Sequence, residues 1–204
     1  MNGETDRNGL ILPLVMGIVF GAVLVLRVLW CGVTYPESNA IILFILALLL
    51  SGSLYYSALS GEAAWRIRSV DAFALIYFLA VLILSICSNH RWLAKGFLFQ
   101  VAACTIAYLL AANLGSSRRS GNAIASGLIT GAILVSMYGL YQYFCGLSET
   151  RAFLSAMQNG DRSDAFMSRV SSNAVFSTFF YPNALAGYLI IIIPFAASIF
   201  FLPI

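Results

Sequence analysis

Polar groups able to bind or transform a small molecule are few in this chain, and they gather most closely at residues 175–188, VFSTFFYPNALAGY. Ser177 and Thr178 supply hydroxyls and Asn183 an amide. Pro182 fits the first turn of a helix, where its missing N–H costs nothing. Ala184, Ala186 and Gly187 keep one face small enough for another helix to approach closely. A helix start exposes unbonded backbone N–H groups and the positive end of the helix dipole, which suits phosphate. The plain reading is a well-formed helix start at a membrane interface. The sharper one is an anion site completed by arginines of the preceding stretch, with Arg169 the nearest in sequence.

The remaining candidates favour structural readings. His90 is the sole histidine and sits beside Arg91 and Trp92. A general base is conceivable there, but no partner carboxylate is near in sequence, so an interfacial polar residue is preferred. Cys31, Cys87, Cys104 and Cys145 form no C-x-x-C pair, and the chain offers no zinc pattern. Cys31, Cys87 and Cys145 fall near the ends of apolar stretches on one side. A disulfide is open to them in an oxidising compartment, with packing as small apolar residues the preferred alternative. No cofactor is implied. No ionisable residue lies near the middle of an apolar stretch: Arg27, Asp71 and Lys95 are all close to ends, where long side chains reach water. Ion-coupled transport, which uses such groups at mid-depth, is disfavoured.

These groups must be positioned by elements that composition limits sharply. Hydrophobic residues make up 61% of the 204 residues and charged ones 9%, against roughly 25% charged in soluble domains. The net charge of +3 is small and scattered, with no basic run longer than Arg118-Arg119, so nucleic acid is excluded as a partner. Six continuous apolar stretches stand out, at 10–29, 40–56, 70–87, 93–112, 123–144 and 183–202. Each approaches the length of about 20 residues that a bilayer-spanning helix needs. Continuous rather than alternating hydrophobicity rules for helices over a barrel. The expected fold is therefore an all-α polytopic transmembrane bundle of about six helices, taken as one domain over 1–204. The first stretch is an anchored helix rather than a signal peptide, because Glu4 and Asp6 precede it and no small-residue cleavage site follows. Gly17-x-x-x-Gly21 and Gly127-x-x-x-Gly131 mark close helix packing. Trp30, Tyr35, Trp65, Trp92, Tyr141 and Tyr143 lie where an aromatic belt would place them.

Short polar connections join the first five stretches, but the connection at about 146–181 is long. It carries Glu149, Arg151, Asp161, Arg162, Asp164 and Arg169. Phe153, Leu154 and Met157 could share one face of a short helix ending at Asn159-Gly160. Phe166, Met167 and Val170 could do the same on a second helix starting near Ser163. Both suit helices lying on the membrane surface. Orientation is not decided by charge alone. With the N-terminus inside, Arg7, Arg66, Arg68, Arg118 and Arg119 fall on the inner side, and Arg27, Arg91, Lys95, Arg151, Arg162 and Arg169 on the outer. Setting aside the long connection leans the count toward an N-terminus in the cytoplasm.

The phrase VFSTFFYPNALAGYL (175–189), followed by an apolar helix containing Pro194, resembles the hallmark segment of the O-antigen ligase and polymerase superfamily. The lead-in GLYQYFCGLSETR (139–151) is similar to the stretch that precedes it there. The resemblance covers about the last third of the chain, and the first four helices match only as generic membrane helices. It implies a bacterial membrane glycosyltransferase of cell-envelope polysaccharide biosynthesis. Such enzymes pass a glycan from an undecaprenyl-pyrophosphate carrier to an acceptor hydroxyl at the outer face of the cytoplasmic membrane. It also implies that the long connection lies outside, with the N-terminus cytoplasmic. Two departures accompany it. Relatives carry an arginine directly before the VFSTF element, where this chain has Ala174, with Arg169 the nearest basic residue upstream. Relatives also have about a dozen helices, and their catalytic histidine and a further arginine lie in a later outer loop. This chain therefore reads as truncated, the N-terminal half of a larger fold.

The expectation is an O-antigen ligase-like or polymerase-like membrane protein, inactive alone without a C-terminal half, in which Arg169, Thr178 and Asn183 bind the carrier and no catalytic base is identifiable. Its partners would be membrane lipid, a lipid-linked glycan, and a C-terminal half or partner membrane subunit. The alternative is a non-enzymatic membrane subunit that binds a lipid-linked glycan or partner helices. A small-solute transporter is a third and weaker reading.

Overall fold

The computed structural model describes residues 3–30, 36–60, 68–146, 148–149, 175, 177–179 and 182–201. Its described residues form an all-α bundle of six helices. These are α1 (Gly3–Leu29), α2 (Pro36–Ser60), α3 (Ser69–Cys87), α4 (Arg91–Leu114), α5 (Arg118–Tyr141) and α6 (Pro182–Phe201), with a π turn at Gln142–Gly146 extending α5. Five carry stretches long and apolar enough to cross a membrane: Leu12–Leu29, Asn39–Leu59, Ser69–Cys87, Arg91–Leu114 and Arg118–Gly146. The apolar stretch of α6, Asn183–Ala197, is shorter. The chain is a multi-pass membrane protein. The two short helices expected between 146 and 181 lie outside the described residues.

Helices form here because a bilayer offers the backbone no other hydrogen-bond partners. The same constraint disposes of side-chain polar groups inside the spans. Ser51 donates to the Ala47 carbonyl at 2.8 Å, Thr105 to Val101 at 2.9 Å, and the Asn113 amide to Leu109 at 2.9 Å. Each closes on its own helix, so these hydroxyls and this amide present little unsatisfied polarity to lipid.

The chain divides into two compact units, Met1–Arg27 with Val33–Leu128, and Val28–Gly32 with Ile129–Ile204. In the first, Met16, Phe20 and Val23 of α1 form one apolar core with Ile42 and Leu46 of α2, Leu110 and Leu114 of α4, and Ile124 of α5. Helix α4 packs against both α2 and α3. The opening half of α5 meets α1 at very close range. A Cβ on Gly17 would lie 3.0 Å from the Ser120 Cβ, and one on Gly127 would lie 2.8 Å from the Gly21 backbone. The Ser120 hydroxyl, fully buried, donates to the Pro13 carbonyl at 2.9 Å. The sequence motif at Gly17 and Gly21 thus does mark a helix crossing, sealed by one interhelical hydrogen bond.

Helix α3 is the most exposed of the first unit, with Asp71 and Val81 its buried side chains among the described residues. Phe73 (71%) and Ile86 (73%) stand almost fully exposed, a surface suited to lipid and not to water. Asp71 tethers this helix. One carboxylate oxygen accepts the Arg68 backbone N–H at 2.7 Å, capping the helix start, and the other accepts the Tyr108 hydroxyl of α4 at 2.9 Å. Asp71→Ala removes both bonds and leaves the Tyr108 hydroxyl without its acceptor, so it is expected to lower Tm by several degrees. Tyr108→Phe, which keeps the cap, should lower it by less. Thermal unfolding in detergent of the two variants beside the parent checks the order.

Candidate functional site

The second unit contains the segment singled out by its sequence. Residues 177–179 form a turn that leads toward α6, and three side-chain interactions pin it. The Ser177 hydroxyl donates to the Val135 carbonyl at 2.7 Å, and the Ser177 N–H donates to the Gln142 Oε1 at 2.8 Å. The Thr178 hydroxyl donates to the Val28 carbonyl at 2.8 Å. Two of the three acceptors have a local reason to be available. Val28 lies in the last turn of α1, where carbonyls lack intrahelical partners. Gln142 opens the π turn, whose wider winding re-aims side chains relative to an α-helix. Gly139 leaves room for the turn: a Cβ there would come within 3.3 Å of Val175 Cγ1 and 3.6 Å of Ser177 Cβ.

Ser177 is buried and has φ of 51°, the left-handed region that residues with a Cβ seldom adopt. A strained residue persists only where its surroundings over-determine it. Here the buried hydroxyl and the N–H are both bonded, which holds the chain in that conformation. Beyond the turn, the Phe179 ring packs against the Tyr188 ring at 5.4 Å between centroids. Pro182 opens α6, and Asn183 next to it is exposed.

The expected site residues divide accordingly. Arg169 lies outside the described residues. Thr178 sits in the pinned turn, its proton committed to Val28, so its hydroxyl has acceptor capacity left but no free hydrogen. Asn183 is exposed at the head of α6, where its amide and the free N–H groups of the first turn can meet a ligand. Sequence reasoning missed Gln142 and Gly139. Both lie in the lead-in at 139–151 that resembles the family's, but that likeness assigned neither of them a role. It also gave no sign of the π turn or of the left-handed backbone at Ser177.

His90 is exposed at the start of α4 and makes no side-chain capping bond. Cys87, Cys104 and Cys145 are free, exposed thiols, and Cys31 lies outside the described residues. Among the described residues there is no cluster of three or more side chains able to hold a metal ion. Compared with protein-family models, with curated proteins and with solved structures, the chain matches none.

Proposed function

We propose that this membrane protein binds a lipid-linked glycan through the pyrophosphate of its carrier, in the manner of O-antigen ligases and polymerases, at the head of α6. The observation that carries the reading is the turn at Ser177 and Thr178. Its two hydroxyls and one N–H are all fixed to protein groups, so this turn is held in one conformation shortly before α6 in sequence, and Asn183 is exposed at the head of that helix. A site that is set before its ligand arrives loses less freedom on binding. The likeness of residues 175–189 to the family hallmark supplies the ligand class. In this reading the long connection lies at the outer face of a bacterial cytoplasmic membrane, the N-terminus is cytoplasmic, and Arg169 contributes positive charge to the pyrophosphate.

A binding role without chemistry is the second reading, and one feature favours it. Both hydroxyls of the turn give their protons to backbone carbonyls, which makes them framework rather than proton donors to a leaving group. A carrier-binding subunit would need no more than the grip described.

The test is binding of an undecaprenyl-pyrophosphate analogue to the purified chain in detergent. Asn183→Ala, at an exposed position, should leave Tm unchanged and weaken binding about tenfold; Arg169→Ala should do at least as much. A well-folded parent that shows no saturable binding overturns the proposal. Glycan transfer by a binding-competent chain would decide for the enzyme over the subunit.

A further inference from the structure

Arg27 occupies the last turn of α1, and Asn39 opens the apolar span of α2. Asn39 is buried at 4% exposure, and its Oδ1 accepts a hydrogen bond from Arg27 Nη2. The other guanidinium nitrogen, Nη1, is buried with no hydrogen-bond partner among the described residues. No carboxylate among them pairs with the side chain either. A guanidinium has five N–H donors and a fixed charge. Here the side-chain hydrogen bond to a neutral amide is made by Nη2, and Nη1 has none. The side chain as a whole remains partly exposed, so it is reachable from outside.

Two ordinary explanations fall short. A cation in the last turn of a helix gains from the helix dipole, but that effect is modest and leaves the N–H groups unsatisfied. Snorkelling explains a guanidinium that reaches water, not one whose Nη1 is turned into protein. A buried or half-buried cation at membrane depth ordinarily sits against an anion. The spans Leu12–Leu29 and Asn39–Leu59 end and begin at this pair, which puts it at the level of lipid headgroups. The anion most abundant at that level is phosphate, and a planar guanidinium suits phosphate oxygens.

We propose that Arg27, oriented by Asn39, binds a phosphate-bearing anion at the membrane interface. The anion is either the headgroup of an anionic phospholipid or a soluble phosphate or pyrophosphate. The inference does not rest on the glycan-carrier reading, which concerns the head of α6 and is tested by binding of the undecaprenyl-pyrophosphate analogue to the parent and to Asn183→Ala.

The test uses the full chain in detergent with two probes, phosphatidylglycerol against phosphatidylcholine by native mass spectrometry, and inorganic pyrophosphate by thermal shift. The parent should prefer phosphatidylglycerol roughly tenfold, or gain Tm with pyrophosphate to a matching degree. Arg27→Gln should abolish the response and Arg27→Lys should retain part of it. Because Arg27→Gln could impair folding, Asn39→Asp gives an independent arm. It places a carboxylate against the guanidinium, and is expected to raise Tm and remove anion binding together. A response to phosphatidylglycerol alone assigns the site to lipid, and one to pyrophosphate assigns it to a soluble anion. Absence of any Arg27-dependent response, or its survival in a folded Asn39→Asp protein, overturns the proposal.

Discussion

Gly127→Leu is expected to destabilise the chain by about 3 kcal/mol, seen as a large drop in Tm or in the detergent-denaturant midpoint. The first side-chain carbon alone would stand 2.8 Å from both the Cα and the carbonyl oxygen of Gly21. Those are backbone atoms, so no rotamer change can relieve the contact and the two helices must separate. Separation would in turn stretch the bond from the Ser120 hydroxyl to the Pro13 carbonyl and loosen Phe20 and Ile124 in the shared core. Gly96→Ala serves as the control. A Cβ at Gly96 meets nothing within 4 Å, and the exchange lies inside α4, so it should be neutral or stabilising by up to about 1 kcal/mol. Equal losses in the two variants would show that helix propensity, and not the close crossing, governs these glycines.

The second large effect is expected at Ser177. Ser177→Val should destabilise the second unit by roughly 2–4 kcal/mol, the sum of a lost buried hydrogen bond and a β-branched side chain forced to positive φ. Ser177→Gly separates the two causes. Glycine accepts φ of 51° without penalty, so only the bond to Val135 is lost, at about 1 kcal/mol. Hydrogen exchange in α5 near Val135 and in the first turns of α6 would read the difference locally. If the carrier is bound at the head of α6, the valine variant should also lose the undecaprenyl-pyrophosphate analogue while the glycine variant keeps much of it. Matching losses in valine and glycine would mean that the turn is not strained.

The same two sites show what was legible in the residues and what was not. Gly17-x-x-x-Gly21 was readable as a contact face, because only small residues let helices approach so closely. Which helix it meets was not readable, since several other spans offer small residues, and Ser120 had no mark distinguishing it from other serines. The helix start at Pro182 was readable from proline chemistry. The anchoring of the turn before it was not, because its acceptors are backbone carbonyls at Val28 and Val135 and a glutamine at 142, far away in sequence. Backbone carbonyls exist at every position, so no residue type announces them. Asp71 and Arg27 both looked like end-of-helix charges. Asp71 is satisfied on both oxygens, whereas Arg27 keeps a buried nitrogen unbonded.

The sequence by itself determined the solvent and the class of fold. With 61% hydrophobic residues in continuous runs, the backbone has no stable alternative to helices in lipid. It also kept Arg27, Asp71 and Lys95 near the ends of their spans, because a charged group at mid-span would be costly to hold. Tertiary structure alone decided which polar groups are spent and which remain open. That choice depends on distances between residues up to 150 positions apart, as for Thr178 and Val28. Such distances follow from how helices pack, and in lipid the small-residue contacts and interhelical hydrogen bonds that set the packing are too alike from span to span to encode their partners locally.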